Sequence, residues 1–226
     1  MKNIPNHVGI IPDGNRRYSK REKTNLLQAY LKGSEIALET VEWARAAGVK
    51  HISFFGTSNE NVLCRPPSEI VALRKGVFHF CEKILLQNTT LHLVGDIESM
   101  GQTPKERKAF RWLKEQSCAS GKFVVHADVN YSGDIRFELA PLFEAIKLHG
   151  LEKVMLAPER YISSAGVPPI DLVIRLGGKP RLSGFLPFQT TYAELYFRDE
   201  LWGDFNLEIF DDALKWFAKQ DRSKGA

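Results

Sequence analysis

Short apolar runs of strand length recur along this chain with amphipathic helical stretches between them, and that alternation limits the folds open to it. Val8–Ile11 is the first run. Leu26 to Ala47 then has helical periodicity and stops at Gly48. His51–Thr57 reads as the second strand. Ser68 opens a helix that runs through Leu86, with Ser68-Glu69 supplying its cap. Leu91–Val94 is the third strand, Thr103 to Ser117 a helix, and Phe123–Val129 the fourth strand. Helical patterns follow at Ile135–Leu148 and Leu151–Ile162. Leu172–Ile174 is the fifth strand, Phe185–Tyr192 a short helix, Glu194–Phe197 the sixth strand, and Leu207–Gln220 the closing helix. Strands that alternate with helices of this length pair in parallel through right-handed crossovers. The expected fold is therefore α/β, a central, mainly parallel sheet of about six strands surrounded by helices. A chain of 226 residues with 43% hydrophobic content can fill one core, so one domain over residues 1–226 is expected.

Composition removes several function classes. The net charge is only +4 and the 31 basic residues form no long block, so nucleic acid is not an expected partner. Cys64, Cys81 and Cys118 lack metal-type spacing and fit reduced thiols, which suggests a cytoplasmic protein. The six histidines, at 7, 51, 79, 92, 126 and 149, show no pair with metal-site or triad spacing, so core or surface roles are expected. Met1 to Asn6 is polar and no apolar run approaches the roughly 18–20 residues that span a bilayer, so neither a leader nor a transmembrane segment is expected. Gly-x-Gly-x-x-Gly, Walker and Gly-x-Ser-x-Gly sequences are missing, which argues against dinucleotide, ATP and ordinary hydrolase chemistry.

In open parallel sheets, ligands bind outside the carboxyl ends of the strands. The first strand ends in Pro12-Asp13-Gly14-Asn15-Arg16-Arg17. Such a turn exposes backbone N–H groups to a phosphate, and Arg16 and Arg17 can fork onto its oxygens. Asp13 would repel that phosphate unless a cation lay between them, which points to Mg²⁺. Taken alone, Asp-Gly-Asn is ordinary surface-turn chemistry. Its company changes the reading. The other strands end in Ser58-Asn59-Glu60-Asn61, Gly95-Asp96, Asn130-Tyr131-Ser132-Gly133 and Arg175-Leu176-Gly177-Gly178-Lys179-Pro180-Arg181. Arg175, Arg181 and Ser183 around the Gly177-Gly178 turn form a second anion site suited to a diphosphate. Asp13 and Glu194 are the candidate holders of a divalent cation. Phe54, Phe55, Val77, Phe80 and Leu93 supply apolar walls, although such a stripe is by itself ordinary core.

The residues His7 to Arg17 resemble the opening motif of the cis-prenyltransferases, which include undecaprenyl diphosphate synthases. Ser58-Asn59-Glu60-Asn61 with Arg65-Pro66 resembles their second motif, and Asp171 to Phe205 their C-terminal signature. The resemblance implies joining of an allylic diphosphate to isopentenyl diphosphate by a Mg²⁺-dependent, usually homodimeric enzyme. It implies that Asp13 positions the metal, that Gly14, Asn15, Arg16 and Arg17 seat the allylic phosphates, and that Arg65 also binds substrate. Arg175, Arg181 and Ser183 would hold the second diphosphate, Glu194 would be a metal ligand, and Asn61 would assist proton removal.

This chain departs from the family pattern at several points. Arg16 stands for a Gly, Tyr18 for a Trp, Leu26 for a phosphate-binding Arg and Tyr30 for a His. Val62 replaces a Trp, one extra residue precedes Arg65, and Lys179-Pro180 replaces an acid and a His. Gly184 and Phe188 replace an Asn and a Trp, the tail reads Ser223-Lys224-Gly225, and the segment between Asn130 and Asp171 is short. Arg16 is expected to compensate for the charge missing at Leu26. The changes cluster around the allylic site and metal shell, as in divergent members that couple two dimethylallyl diphosphates head-to-middle into lavandulyl or cyclolavandulyl diphosphate. That irregular coupling is the expected activity; ordinary cis-elongation and a non-catalytic partner subunit are the alternatives.

Overall fold

A computed structural model describes residues 3–222 and gives one six-stranded sheet, every strand pair parallel. The strands are β1 (His7–Ile11), β2 (His51–Phe55), β3 (Thr90–Val94), β4 (Val124–Asp128), β5 (Leu172–Arg175) and β6 (Glu194–Phe197), in the order β3-β4-β2-β1-β5-β6. The helices are α1 (Asn15–Arg21), α2 (Leu26–Ala47), α3 (Asn59–Cys64), α4 (Pro67–Leu86), α5 (Pro104–Glu115), α6 (Ile135–Glu138), α7 (Ala140–His149), α8 (Leu151–Val154) and α9 (Leu207–Phe217). The Ser223-Lys224-Gly225 tail lies outside the described residues.

Local chemistry explains where these bounds differ from the sequence reading. β2 stops at Phe55 because the Gly56 N–H turns back to the Phe54 carbonyl. α4 starts at Pro67 without a side-chain cap, since proline's missing N–H costs nothing in a first turn. Ser68-Glu69 therefore caps nothing. Ser58 instead caps α3, a helix that periodicity did not reveal because it has only six residues. The Ile135–Leu148 stretch breaks into α6 and α7 ahead of Pro141, which has no N–H to continue the ladder. The stretch from Leu151 keeps a single turn of α-helix, then a 3₁₀ turn at Pro158–Arg160. No helix forms over Phe185–Tyr192, where Ser183, Gly184 and Leu186 all take positive φ and turns result.

The two faces of the sheet differ in chemistry, as the period of two along each strand requires. One face sends Val8, Ile10, Ile52, Phe54, Val125, Ala127, Leu172 and Ile174 into the larger core under α2, α4 and α9. Burying aliphatic side chains of this size contributes roughly 1.5–3 kcal/mol apiece. α2 and α4 approach closely at Gly76, where an added Cβ would lie 3.1 Å from the Tyr30 carbonyl oxygen. The other face is unusually polar. It carries His7, His51, Ser53, His92, His126 and Asp128 beside Ile11, Val94, Val173 and Phe185. His126 sits between His51 (ring nitrogens 3.1 Å apart) and His92 (2.9 Å), and His7 Nε2 lies 2.8 Å from Ser53 Oγ. Four of the scattered histidines thus form one group, His7 and His126 buried and His51 and His92 half-buried. Burial holds His7 down to about 3, His92 to about 4 and His126 to about 2, so all three stay neutral.

Candidate active site

The carboxyl edge of the sheet opens into a cleft of about 540 Å³. Its first wall grows out of β1. The Asp13 N–H donates back to the Ile11 carbonyl, and Gly14 starts α1 at φ 116°. A side chain at Gly14 would be strained by that φ and would press on Leu201, 3.0 Å away. The Trp202 N–H donates to the Asp13 carbonyl, so the segment after β6 closes the turn from outside.

Asp13 is the electrostatic centre. Its Oδ2 pairs with Arg175 Nη2 at 3.0 Å and its Oδ1 faces Arg17 Nη2 at 3.4 Å. Arg175 is 4% exposed; its Nη1 donates to Ser183 Oγ at 2.9 Å and to the Arg181 carbonyl. Arg17 Nη2 also donates to the Gly177 carbonyl at 2.8 Å. Gly177 has φ 84°, and a Cβ there would lie 2.6 Å from that guanidinium nitrogen. Arg181 and Ser183 stand exposed at the mouth. Arg17 and Arg175 therefore flank one carboxylate, and Arg181 lines the same cleft, leaving a strong positive excess.

The second wall is α3 and the start of α4. Asn61 donates from Nδ2 to Ser58 Oγ at 2.5 Å, and the Asn59 N–H donates to the Tyr131 carbonyl, which docks this turn onto the end of β4. Arg65 Nη1 lies 2.7 Å from the Tyr30 hydroxyl and 3.1 Å from Glu69 Oε1. The Tyr30 hydroxyl donates to that same oxygen at 2.9 Å, and Arg16 Nε approaches it to 3.8 Å. Burial pushes the Tyr30 phenol well above its ordinary range, so it remains a donor. The deeper lining is apolar: Phe54, Val77, Phe80, Ala127, Val129 and Trp202. Cys81 lies there too, its thiol pushed up to about 12 by burial and so unreactive.

Asp13, Gly14, Asn15, Arg16, Arg17, Asn61, Arg65, Arg175, Arg181 and Ser183 all line this one cleft. Glu194 does not. It opens β6 opposite Leu172, whereas Arg175 lies opposite Phe197. Three residues of strand, about 10 Å, separate it from the carboxyl edge. The expectation that Asp13 and Glu194 flank one cation is corrected at the level of the single chain: register places them at opposite ends. Among the described residues no group of three or more His, Cys, Asp or Glu is arranged to hold a metal. Of the described residues that line the cleft, Asp13 is the one that offers a carboxylate, and it is partly exposed. Mg²⁺ is commonly held by one or two carboxylates plus substrate phosphates, and this donor set fits that mode.

The sequence reading had Tyr30 among the changes around the allylic site but missed Glu69 and Trp202. The Arg65–Glu69 spacing of four on helical sequence was an available signal for the first. Trp202 Nε1 donates to the Gly33 carbonyl at 3.0 Å across 169 residues, which no local pattern foretells. Leu26, where an Arg was expected, packs with Tyr30, Ile70, Ala72 and Leu73.

The family model described as "Putative undecaprenyl diphosphate synthase" matches residues 11–225. The chain belongs to the cis-prenyltransferase family. A ditrans,polycis-undecaprenyl-diphosphate synthase from Haemophilus influenzae is 31% identical over 233 residues, covering 99% of this chain and 96% of that protein. An isoprenyl transferase from Geobacillus kaustophilus is also 31% identical, covering 98% and 89%. Among solved structures, lavandulyl diphosphate synthase from Lavandula x intermedia, in complex with dimethylallyl diphosphate, superposes with a TM-score of 0.83 at 24% identity, over 99% of both chains. The protein is thus a prenyltransferase of isoprenoid biosynthesis, with the all-parallel sheet of its family. No helix among its described residues is long and apolar enough to cross a membrane.

Proposed function

We propose that this cis-prenyltransferase elongates an allylic diphosphate with isopentenyl diphosphate. One observation carries the reading: two cationic clusters line a single cleft with an apolar interior, and the Asp13–Arg175 pair borders both. The cluster of Gly14, Asn15, Arg16 and Arg65 takes the allylic diphosphate. Arg175, Arg181 and Ser183 take the isopentenyl diphosphate. The irregular head-to-middle activity expected from the sequence is replaced as the leading reading, because undecaprenyl and isoprenyl transferases match over nearly the whole chain at higher identity. The lavandulyl enzyme, at 24%, supports the fold.

In the reaction, the C1–O bond of the allylic substrate breaks, releasing diphosphate and an allylic cation. The double bond of isopentenyl diphosphate attacks C1, and loss of a proton forms the new double bond. Asp13 would hold Mg²⁺, which when bound supplies positive charge against the departing diphosphate. Arg65 and Arg17 add held donors to the same oxygens, and the more mobile Arg16 adds its charge there. Arg175, Arg181 and Ser183 orient the second substrate so that its double bond faces C1. Asn61 lies beside the reacting carbons and assists proton removal. Phe54, Val77 and Phe80 keep water from the cation.

The head-to-middle reading keeps one specific support. Leu26 and Tyr30 have turned part of the allylic wall into an apolar patch with a hydroxyl, which reshapes that subsite. A non-catalytic subunit is disfavoured by the presence of Asp13. Product analysis by mass spectrometry and NMR decides among these. The protein with Mg²⁺ receives dimethylallyl diphosphate alone, or dimethylallyl or farnesyl diphosphate with isopentenyl diphosphate. Chain extension in the second set supports elongation. A branched or cyclic ten-carbon product from the first tube would replace it with the irregular coupling.

We further propose a homodimer working in the cytoplasm. β6 is an uncovered edge, with Phe188, Leu195 and Phe197 exposed beside it. Phe137 and Phe143 are exposed on α6 and α7, a region tied to the same surface through Ser164, which accepts from Gln189 and donates to Glu138 of α6. Such a patch marks an interface. Light scattering on the parent should give twice the chain mass, and Leu195→Glu should shift it toward the single mass.

A further inference from the structure

Glu69 is a charged residue that the reaction does not call for. It is 3% exposed in the first turn of α4, next to Ile70 and facing Tyr30 of α2. Desolvating a carboxylate is costly unless the protein supplies partners. Here every partner is a group lining the substrate cleft: the Tyr30 hydroxyl, Arg65 and Arg16, all converging on Oε1.

The contacts are graded. Arg65 is held twice, by Glu69 at 3.1 Å and by the Tyr30 hydroxyl at 2.7 Å, and its side chain is 22% exposed. Both contacts use Nη1, leaving its other guanidinium donors for a ligand. Arg16 is 65% exposed and reaches Oε1 only at 3.8 Å, a Coulombic contact without hydrogen-bond geometry. Two guanidiniums so close repel each other, and a single buried anion between them offsets that repulsion. We propose that Glu69 is a positioning residue for the allylic diphosphate: it fixes Arg65 through a Tyr30-bridged pair and tethers Arg16 loosely, so that Arg16 can move onto a phosphate. Tyr30 is the second member of this device, because its hydroxyl accepts from Arg65 while donating to Glu69. The carboxylate never touches substrate. The inference rests on the reading above that this side of the cleft takes the allylic diphosphate.

The test separates the two substrates. Calorimetric titration with dimethylallyl diphosphate and with isopentenyl diphosphate, in EDTA so that no turnover occurs, gives a Kd for each. Steady-state kinetics with Mg²⁺ gives each KM. Glu69→Ala should raise the allylic Kd and KM at least ten-fold while the isopentenyl values stay within two-fold. Glu69→Gln, which keeps an acceptor for Tyr30 and Arg65 but not the charge that holds Arg16, should give a smaller rise in the same substrate only. Tyr30→Phe should raise the allylic KM about three-fold. Unchanged allylic values in folded Glu69→Ala, or an equal rise for both substrates, would overturn the proposal. Should Glu69→Ala fail to fold, Glu69→Gln decides, and parent-like allylic values in that variant overturn it as well. A parent that binds neither diphosphate, in EDTA or with Mg²⁺, defeats the functional reading and this inference together. A parent that binds both, with variants that match it, defeats this inference alone.

Discussion

Acid should unfold this protein through the back of its sheet. His7, His92 and His126 are buried as neutral rings, with values near 3, 4 and 2 against an ordinary 6.5. A group whose folded value is depressed contributes stability that is intact above 6.5 and is lost as pH falls toward the folded value. Between pH 6 and 5 the unfolded chain holds roughly two to three protons at these positions and the folded chain almost none. Each proton costs about 1.4 kcal/mol per pH unit, so the three rings together set a slope near 4 kcal/mol per unit. Asp128 and Glu138 act in the opposite sense. Burial raises both carboxyls, so the folded state holds their protons more firmly and each offsets at most about 1.4 kcal/mol per unit. The net loss between pH 6 and 5 is therefore about 1–4 kcal/mol, a large share of the roughly 5–15 kcal/mol of a typical domain. Urea unfolding followed by tryptophan fluorescence, at half-unit steps from pH 7.5 to 5, should show the midpoint moving steadily down below pH 6.5. His92→Gln should make the descent shallower by about one proton, and Asp128→Asn should make it steeper. A midpoint that holds level or rises between pH 7 and 5 would refute the reasoning.

Three further outcomes are expected. Asp13→Asn should lower kcat by about 10²–10³-fold and also lower the melting temperature, since it leaves the buried Arg175 guanidinium without its counter-charge; parent-like turnover would contradict the role given to Asp13. Arg175→Lys should fail to restore function, because Asp13 is met by Nη2 while Ser183 and the Arg181 carbonyl are met by Nη1, and a single nitrogen cannot span both positions of that planar fork; the KM for isopentenyl diphosphate should rise more than ten-fold. Gly177→Ala should cost roughly 1–3 kcal/mol in denaturant unfolding and displace Arg17, whose Nη2 would lie 2.6 Å from the new methyl group.

Much of the fold was legible because parallel strands and long helices leave strong periodicities. Leu26 to Ala47 matches α2 at both ends, since Asn25 and Gln28 close a capping box and Gly48 stops the helix at φ 91°. Glu194–Phe197 matches β6. What failed was short or governed by backbone strain: α3 is six residues long, and positive φ at Ser183 and Leu186 replaces the helix expected after Phe185. Ten of the candidate site residues lie in one cleft because the carboxyl-edge rule needs only strand order in sequence. Glu194 escaped that rule because it begins its strand, and the polarity of a strand end is visible only once the register is known. The histidine group was invisible for a related reason. His7, His51, His92 and His126 are tens of residues apart along the chain, and only lateral strand order makes them neighbours.

The position of β1 has a consequence for how the protein is made. It lies between β2 and β5, so one of its neighbours is synthesised at once and the other only after residue 172. Pairings across such separations form late, because a long loop must close first. The wall bearing Arg175 and the closing Trp202–Asp13 contact come later still. A nascent or truncated chain therefore carries its aspartate motif on an open strand edge, with exposed apolar surface and half a cleft. Such a chain is prone to association during synthesis. Competence to bind two diphosphates arrives only once Trp202 has left the ribosome and reached Asp13.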